Sequence, residues 1–171
     1  GDGGASRAPW TVPSEWGSDL KLAWSALIAA VYVILVWIFA PISFGLVQFR
    51  IAEALTVLPI LMPEAVLGLF VGAMLSNILG GLGPWDIFGG SGVTLLAAYL
   101  TRRFRHSWPA YAWPILCNAF LVSGYLHRIL GVPYWLTVLS VGFGEAVVVL
   151  ALGIPLIRLL RTRFKHLLPD D

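Results

Sequence analysis

Charged residues are scarce in this sequence, and so is cysteine. Of its 171 residues, 12% are charged and 58% are hydrophobic, whereas about a quarter of the residues of a soluble domain are charged. A water-soluble surface needs those charges, so the composition indicates a membrane protein. The single Cys117 excludes an intramolecular disulfide, and the sequence has neither a C-x-x-C pair nor a Cys/His zinc cluster. We therefore expect no metal, no cofactor and no nucleic-acid partner.

Long apolar stretches fill the middle of the chain. A spanning helix needs roughly 17–25 mostly apolar residues, and six candidates lie at 21–41, 48–63, 65–82, 86–102, 109–127 and 134–158. The second is short, and we expect it to begin below the outer surface with 40–47 looping over it. The sequence thus predicts an all-α bundle of six transmembrane helices over 21–160. A polar segment, 1–20, precedes it, with its first six residues a possible cloning remnant, and a charged tail, 161–171, follows it.

The distribution of lysine and arginine predicts the orientation of the bundle. With the N-terminus in the cytoplasm, nine of the eleven basic residues lie inside, and only Arg50 and Arg128 lie outside. Basic residues concentrate on the cytoplasmic side of membrane proteins, and this assignment requires an even number of spans. We therefore expect a multi-pass protein of the cell membrane with both termini in the cytoplasm.

Polar side chains interrupt the predicted spans on one side of the membrane. An ionisable group at membrane depth costs roughly 2.5–3.5 kcal/mol on insertion scales, so each needs a partner or a function. With the predicted topology, the polar set lies toward the outer side or near mid-membrane: Arg50, Glu53, Asn77, Asp86, Asn118 and Glu145. Glu145 follows Tyr134 by eleven residues, which places it about 16 Å deeper. These residues predict a pocket that opens outward.

Helical phase brings an aromatic ring into line with each deep polar group. Tyr134, Val141 and Glu145 share one face of the sixth predicted helix, and Asn118 and Tyr125 share a face of the fifth. A flat, nitrogen-rich ring fits such a pocket, because a carboxylate accepts from N–H groups and an amide both donates and accepts.

Four of these polar residues also have purely structural interpretations. Arg50 and Glu53, three residues apart, can neutralise each other. Asp86 follows a Gly-Pro-Trp turn and can cap the next helix. Asn118 can form an interhelical hydrogen bond without any ligand. Glu145 has no basic residue within reach on its own helix, so a functional role is favoured there.

Small residues recur at four-residue spacing, which lets helices approach closely in lipid. For the stripes that begin at Gly68 and at Gly90 we expect packing inside the bundle. For Ala26 and Ala30, both packing and a partner surface stay open.

Part of the chain resembles a known family. Residues 47–59 read VQFRIAEALTVLP, which is similar to the signature of the QueT family, the substrate-binding S-components of energy-coupling factor (ECF) transporters assigned to queuosine precursors. The resemblance spans about residues 40–158 and continues through the segments 68–72, 76–81, 86–91, 94–101, 118–119 and 140–145.

The resemblance implies a six-helix binding subunit that docks on a transmembrane coupling subunit driven by two cytoplasmic ATPases. It implies that Ala26 and Ala30 face the coupling subunit. The implied substrate is a 7-deazaguanine base such as 7-aminomethyl-7-deazaguanine. Glu145 or Glu53 would accept its N–H groups, Asn118 would bind its carbonyl, and Asp86 would receive an aminomethyl cation.

Other functions stay open at this point. The chain lacks the nucleotide-binding pattern G-x-x-x-x-G-K-[ST], so ATP hydrolysis is expected from partner subunits and not from this chain. The alternatives are a binding subunit for another purine-like or vitamin ligand, an assembly subunit without a ligand, and an intramembrane enzyme using Glu145. Against the enzyme, the sequence has no H-E-x-x-H pattern.

Overall fold

A computed structural model describes residues 17–43, 49–81 and 83–165 of the chain, and every secondary-structure element in these ranges is helical. The all-α prediction is confirmed. The elements are α1 (Gly17–Ile38), the short α2 (Ala40–Ser43), the 3₁₀ helix α3 (Ile51–Ile60) and α4 (Glu64–Leu79). The helix α5 joins the π-helical Trp85–Gly90 to Ser91–Arg103. The helix α6 runs through Trp108–Tyr111, Ala112–Cys117, the π-helical Asn118–Val122 and Ser123–Leu130. The helix α7, Tyr134–Arg163, has a π-helical turn at Val149–Gly153.

Two of the described helices, α1 with 22 residues and α7 with 30, are long and apolar enough to cross a membrane by length and composition. The number of six spans therefore stays a prediction. Some predictions fall outside the described residues. The predicted loop 40–47 is described only up to residue 43, and Arg7, one of the basic residues predicted to be cytoplasmic, lies in the segment 1–16, which is not described. The end of the predicted tail, 166–171, is not described either. The α7 helix continues beyond the predicted end at 158.

The second predicted span, 48–63, is wrong in its extent. The helix α3 has ten residues, about 20 Å at the rise of a 3₁₀ helix, whereas the hydrocarbon core is about 30 Å thick. All of the residues 52–60 are buried. The segment is therefore surrounded by other helices, and Pro59 within it fits the absence of a regular α-helical ladder.

Glycines hold α1 against α4, as the small-residue stripe predicted. A Cβ atom on Gly68 would come within 2.7 Å of the Ser25 carbonyl oxygen, and one on Gly72 within 2.9 Å of the Tyr32 Cβ. Because the later glycine meets the later α1 residue, the two helices run parallel. The Ser25 hydroxyl donates to the Glu64 carbonyl oxygen at 2.9 Å, at the first residue of α4.

The outer faces of the helices are apolar. Large hydrophobic side chains stay exposed along α7, among them Trp135, Leu136, Leu139, Phe143, Leu150 and Leu152. A soluble monomer rarely exposes so continuous an apolar surface. Such a surface belongs in contact with lipid.

Most basic residues of the described helices lie at one end of the bundle, at the start of α1 and at the ends of α5 and α7. Arg102, at the end of α5, donates to the Pro59 carbonyl oxygen at 3.2 Å, and Trp24 of α1, Met62 and Leu160 of α7 line one apolar groove. The start of α1 therefore lies beside the ends of α3, α5 and α7. Arg50, Asp86 and Tyr125 belong to the opposite end.

Candidate functional site

A cavity of about 140 Å³ lies between α3, α4, α5, α6 and α7 in the half of the bundle away from the basic end. Its lining is mostly polar: Arg50, Glu53, Asn77, Asp86, Gly90, Thr94, Asn118, Val122, Tyr125, Leu126, Val141 and Glu145. Pockets for drug-sized ligands measure about 300–1,000 Å³. The cavity therefore suits a small polar molecule.

Two buried carboxylates face this cavity. Glu53 is 2% exposed and Glu145 is 7% exposed. The Oε2 atom of each has no hydrogen-bond partner within the part of the chain that the structure describes. Arg50 is close enough to attract both carboxylates electrostatically. A buried acceptor without a donor is costly, so these two oxygens point to a ligand that brings N–H groups.

The other oxygen of Glu53 is occupied. The hydroxyl of Tyr32, on α1, donates to Glu53 Oε1 at 2.5 Å. The α3 backbone beneath it is fixed by Thr56, whose hydroxyl donates to the Glu53 carbonyl oxygen at 2.6 Å. Glu53 is thus held from two sides.

A chain of hydrogen bonds links four helices around the cavity. Arg50 Nη2 donates to Asn77 Oδ1 at 2.7 Å, and Asn77 Nδ2 donates to the Asp86 carbonyl oxygen at 2.7 Å. The Tyr125 hydroxyl then donates to Asp86 Oδ1 at 2.9 Å. The chain connects the start of α3 with α4, α5 and α6, so it fixes the shape of this side of the cavity.

Asn118 and Glu145 form the side of the cavity contributed by α6 and α7. Asn118 Nδ2 donates to the Pro114 carbonyl oxygen at 3.0 Å, and Glu145 lines the cavity together with Asn118. The two helices come close at Gly142, where a Cβ atom would lie 3.2 Å from that of Ala119. Asp86 and Asn118 both lie in π-helical turns, a local geometry that is frequent at functional sites.

The structure brings most of the predicted site residues together. Seven line the cavity: Arg50, Glu53, Asn77, Asp86, Asn118, Tyr125 and Glu145. Tyr134 is not part of that lining. Its hydroxyl donates to the Phe120 carbonyl oxygen at 3.3 Å, and its ring packs edge-on against Trp135 at a centroid distance of 5.1 Å. Ala26 and Ala30 are both exposed on α1.

The three structural alternatives have different outcomes. Pro84 is the N-cap of the Asp86 helix, without a side-chain cap bond, so the capping interpretation of Asp86 is wrong. Arg50 and Glu53 attract each other, but each also hydrogen-bonds a side chain of another helix. Asn118 lines the cavity and donates to a backbone carbonyl of its own helix, so its interhelical hydrogen bond stays a prediction.

The sequence interpretation missed Tyr32, which does not line the cavity but bonds a residue that does. A tyrosine in the middle of an apolar span is a signal that was available, because a buried hydroxyl usually finds a partner. Thr94 was taken only as a small packing residue, although it lines the cavity. Across the described residues, no three His, Cys, Asp or Glu side chains come together as a set of metal ligands.

Comparison with known families agrees with this architecture. The profile described as QueT transporter matches residues 22–162, which is most of the chain and includes every residue of the cavity lining. The chain belongs to the QueT transporter family. The family resemblance seen in the sequence is confirmed, and membership places the chain among membrane transporters. No curated protein and no solved structure matches the chain.

Proposed function

We propose that this chain is the substrate-binding S-component of an ECF-type importer, and that it captures a queuosine precursor from outside the cell. The substrate would be a 7-deazaguanine base such as 7-aminomethyl-7-deazaguanine. The observation that carries the proposal is the pair of buried carboxyl groups, Glu53 and Glu145, that line one small cavity and each keep one oxygen without a donor among the described residues. Adjacent N–H groups on a guanine-like edge match such acceptors.

The surroundings of the two carboxylates support the same class of ligand. The Asn118 amide beside Glu145 can donate to a ring carbonyl, and the Asp86 carboxylate can receive a cationic substituent. Three carboxyl groups, Glu53, Asp86 and Glu145, line the cavity together with a single arginine, Arg50. Their oxygens can accept hydrogen bonds from a base that carries an ammonium group.

The orientation and the partners belong to the same proposal. Basic residues favour the cytoplasmic side, so the basic end would lie inside and the cavity half would lie toward the outside. The exposed Ala26 and Ala30 would face the coupling subunit, and two ATPases would drive reorientation of the bundle for release. Substitution of Ala26 and Ala30 by Leu should abolish copurification with the coupling subunit. Ala151→Leu, at an exposed position of α7, is the matched control.

Thermal denaturation of the purified protein in detergent tests the ligand. A ligand that binds the folded state stabilises it in proportion to the logarithm of its concentration, so micromolar 7-aminomethyl-7-deazaguanine should raise the Tm. Glu145→Gln should reduce that rise, whereas Glu64→Gln, at the opposite end of the bundle, should leave it intact. Absence of stabilisation by any deazaguanine, purine or vitamin would contradict the proposed function. Stabilisation by a different purine or vitamin would replace the substrate.

A further inference from the structure

Tyr32, on α1, reaches the polar centre of the bundle through a side-chain hydrogen bond to Glu53. Its side chain is completely buried, with 0% exposed, and its hydroxyl ends 2.5 Å from Glu53 Oε1. It does not line the cavity. Any influence of Tyr32 on a ligand must therefore pass through Glu53.

The position of Tyr32 is fixed by the close contact between α1 and α4. Gly72 leaves no room between α4 and α1 at this point, since a Cβ atom there would lie 2.9 Å from the Tyr32 Cβ and 3.2 Å from the Ala29 Cα. Two helices in such close contact cannot shift toward each other. The phenol of Tyr32 is thus a donor at a fixed place.

The bond from Tyr32 leaves Glu53 with a single unoccupied oxygen. A carboxylate with one oxygen held cannot rotate freely, so its Oε2 has a fixed direction. That atom has no partner in the described part of the chain, and Glu53 lines the cavity. Pre-orientation of a binding group by a supporting residue reduces the entropy lost when the ligand binds.

We infer that Tyr32 is a positioning residue for the ligand site: it fixes the Glu53 carboxylate so that Oε2 accepts an N–H group of the substrate. The ligand part of this inference rests on the proposed function. The hydrogen bond itself does not, so the two are tested separately.

The hydrogen bond is tested without any ligand, by infrared difference spectroscopy of the purified protein. Glu53→Gln identifies the Glu53 carboxyl band by its loss. Tyr32→Phe keeps the ring and removes the hydroxyl, so this band should shift. Tyr99→Phe, at an exposed tyrosine of α5, should leave it in place. An unchanged band in Tyr32→Phe would overturn the inference whatever the protein binds.

The positioning role is tested by ligand affinity, with 7-aminomethyl-7-deazaguanine as the probe in isothermal titration. Loss of a hydrogen bond to a charged group corresponds to roughly a 10- to 100-fold change in affinity. Tyr32→Phe should show this loss and Tyr99→Phe should not. A shifted band with unchanged affinity would overturn the positioning role, and so would weaker binding with an unshifted band.

A further variant covers the case in which Tyr32→Phe does not fold. Replacement of Tyr32 alone by 3-fluorotyrosine keeps the hydroxyl and makes it a stronger donor, so the Glu53 band should shift in the opposite direction. If the wild-type protein does not bind the probe while the band shifts as expected, the proposed substrate fails and the Tyr32–Glu53 interaction stands.

Discussion

The two sides of the cavity differ in how much of their hydrogen bonding is completed within the protein. On the side of α3, α4 and α5, here called the bonded side, Arg50, Asn77 and Asp86 form a continuous chain. On the side of α6 and α7, here called the open side, Asn118 bonds a backbone carbonyl of its own helix, and Glu145 Oε2 has no hydrogen-bond partner among the described residues. The bonded side is built for a fixed shape, whereas the open side keeps more of its hydrogen-bonding capacity for a ligand.

This difference separates two kinds of mutational effect. Substitution on the bonded side removes a partner from a buried network, so it should lower stability and binding together. Substitution on the open side should lower binding more than stability. Four variants test the distinction, in order of decreasing effect.

The largest effect is expected for Arg50→Gln, on the bonded side. It removes the cation that Glu53 and Glu145 share, and it breaks the bond to Asn77. Loss of one member of a buried charge network costs about 2–5 kcal/mol, so the Tm in detergent should fall and ligand binding should disappear. Arg128→Gln, at an exposed arginine of α6, is the control. Equal Tm values for the two variants would mean that the chain of bonds does not stabilise the bundle.

Asn118→Leu should have the next largest effect, and it addresses the open side. The substitution keeps the branched shape of the side chain and removes only one bond, to a backbone carbonyl of the same helix, so stability should change little. The affinity for the deazaguanine probe should fall roughly 10- to 100-fold, because a hydrogen-bond partner of the ligand is lost. A large decrease in Tm with unchanged affinity would assign Asn118 to structure alone.

Gly72→Ala should lower stability by about 1–3 kcal/mol, the usual cost of overpacking. The added methyl group would lie 2.9 Å from the Tyr32 Cβ. It should therefore displace Tyr32, which bonds Glu53 on the bonded side. Gly92→Ala is the control, since nothing lies within 4 Å of a Cβ atom there. Thermal denaturation of both variants decides whether close helix contact or general glycine replacement is responsible.

The smallest effect is expected for Tyr125→Phe, which removes the bond between the two sides at Asp86. One hydrogen bond contributes about 0.5–1.5 kcal/mol, so probe affinity should fall only a few-fold. Tyr134→Phe should leave the affinity unchanged, because that hydroxyl bonds a backbone carbonyl of α6 outside the cavity. A larger loss for Tyr134→Phe than for Tyr125→Phe would restore Tyr134 to the site.

The sequence predicted which residues line the cavity better than it predicted the hydrogen bonds between them. Scarce charges in long apolar stretches mark positions that need partners, so Glu53, Asp86 and Glu145 stand out without a structure. Their partners depend on helix rotation and distance, which a single sequence does not contain. The Tyr32–Glu53 bond joins residues that are 21 apart in the sequence, and no local sequence pattern around either residue predicts it.

The sequence could not predict that α3 is too short to span the membrane. Hydropathy measures how apolar a segment is, and it does not tell whether the segment faces lipid or other helices. Residues 52–60 are mostly apolar, and all of them are buried in the bundle. Helical phase also gives only a direction, so it could not show that the Tyr134 hydroxyl bonds the Phe120 carbonyl oxygen and that its ring lies outside the cavity lining.

The shortness of α3 has a consequence for how the protein is made. A ten-residue segment that begins beside Arg50 and contains Glu53 has too little apolar length to enter a bilayer independently. We expect it to enter only together with neighbours synthesised before and after it, with Tyr32 of α1 already present to receive Glu53. A chain that fails to bury α3 should therefore fail to complete the bundle.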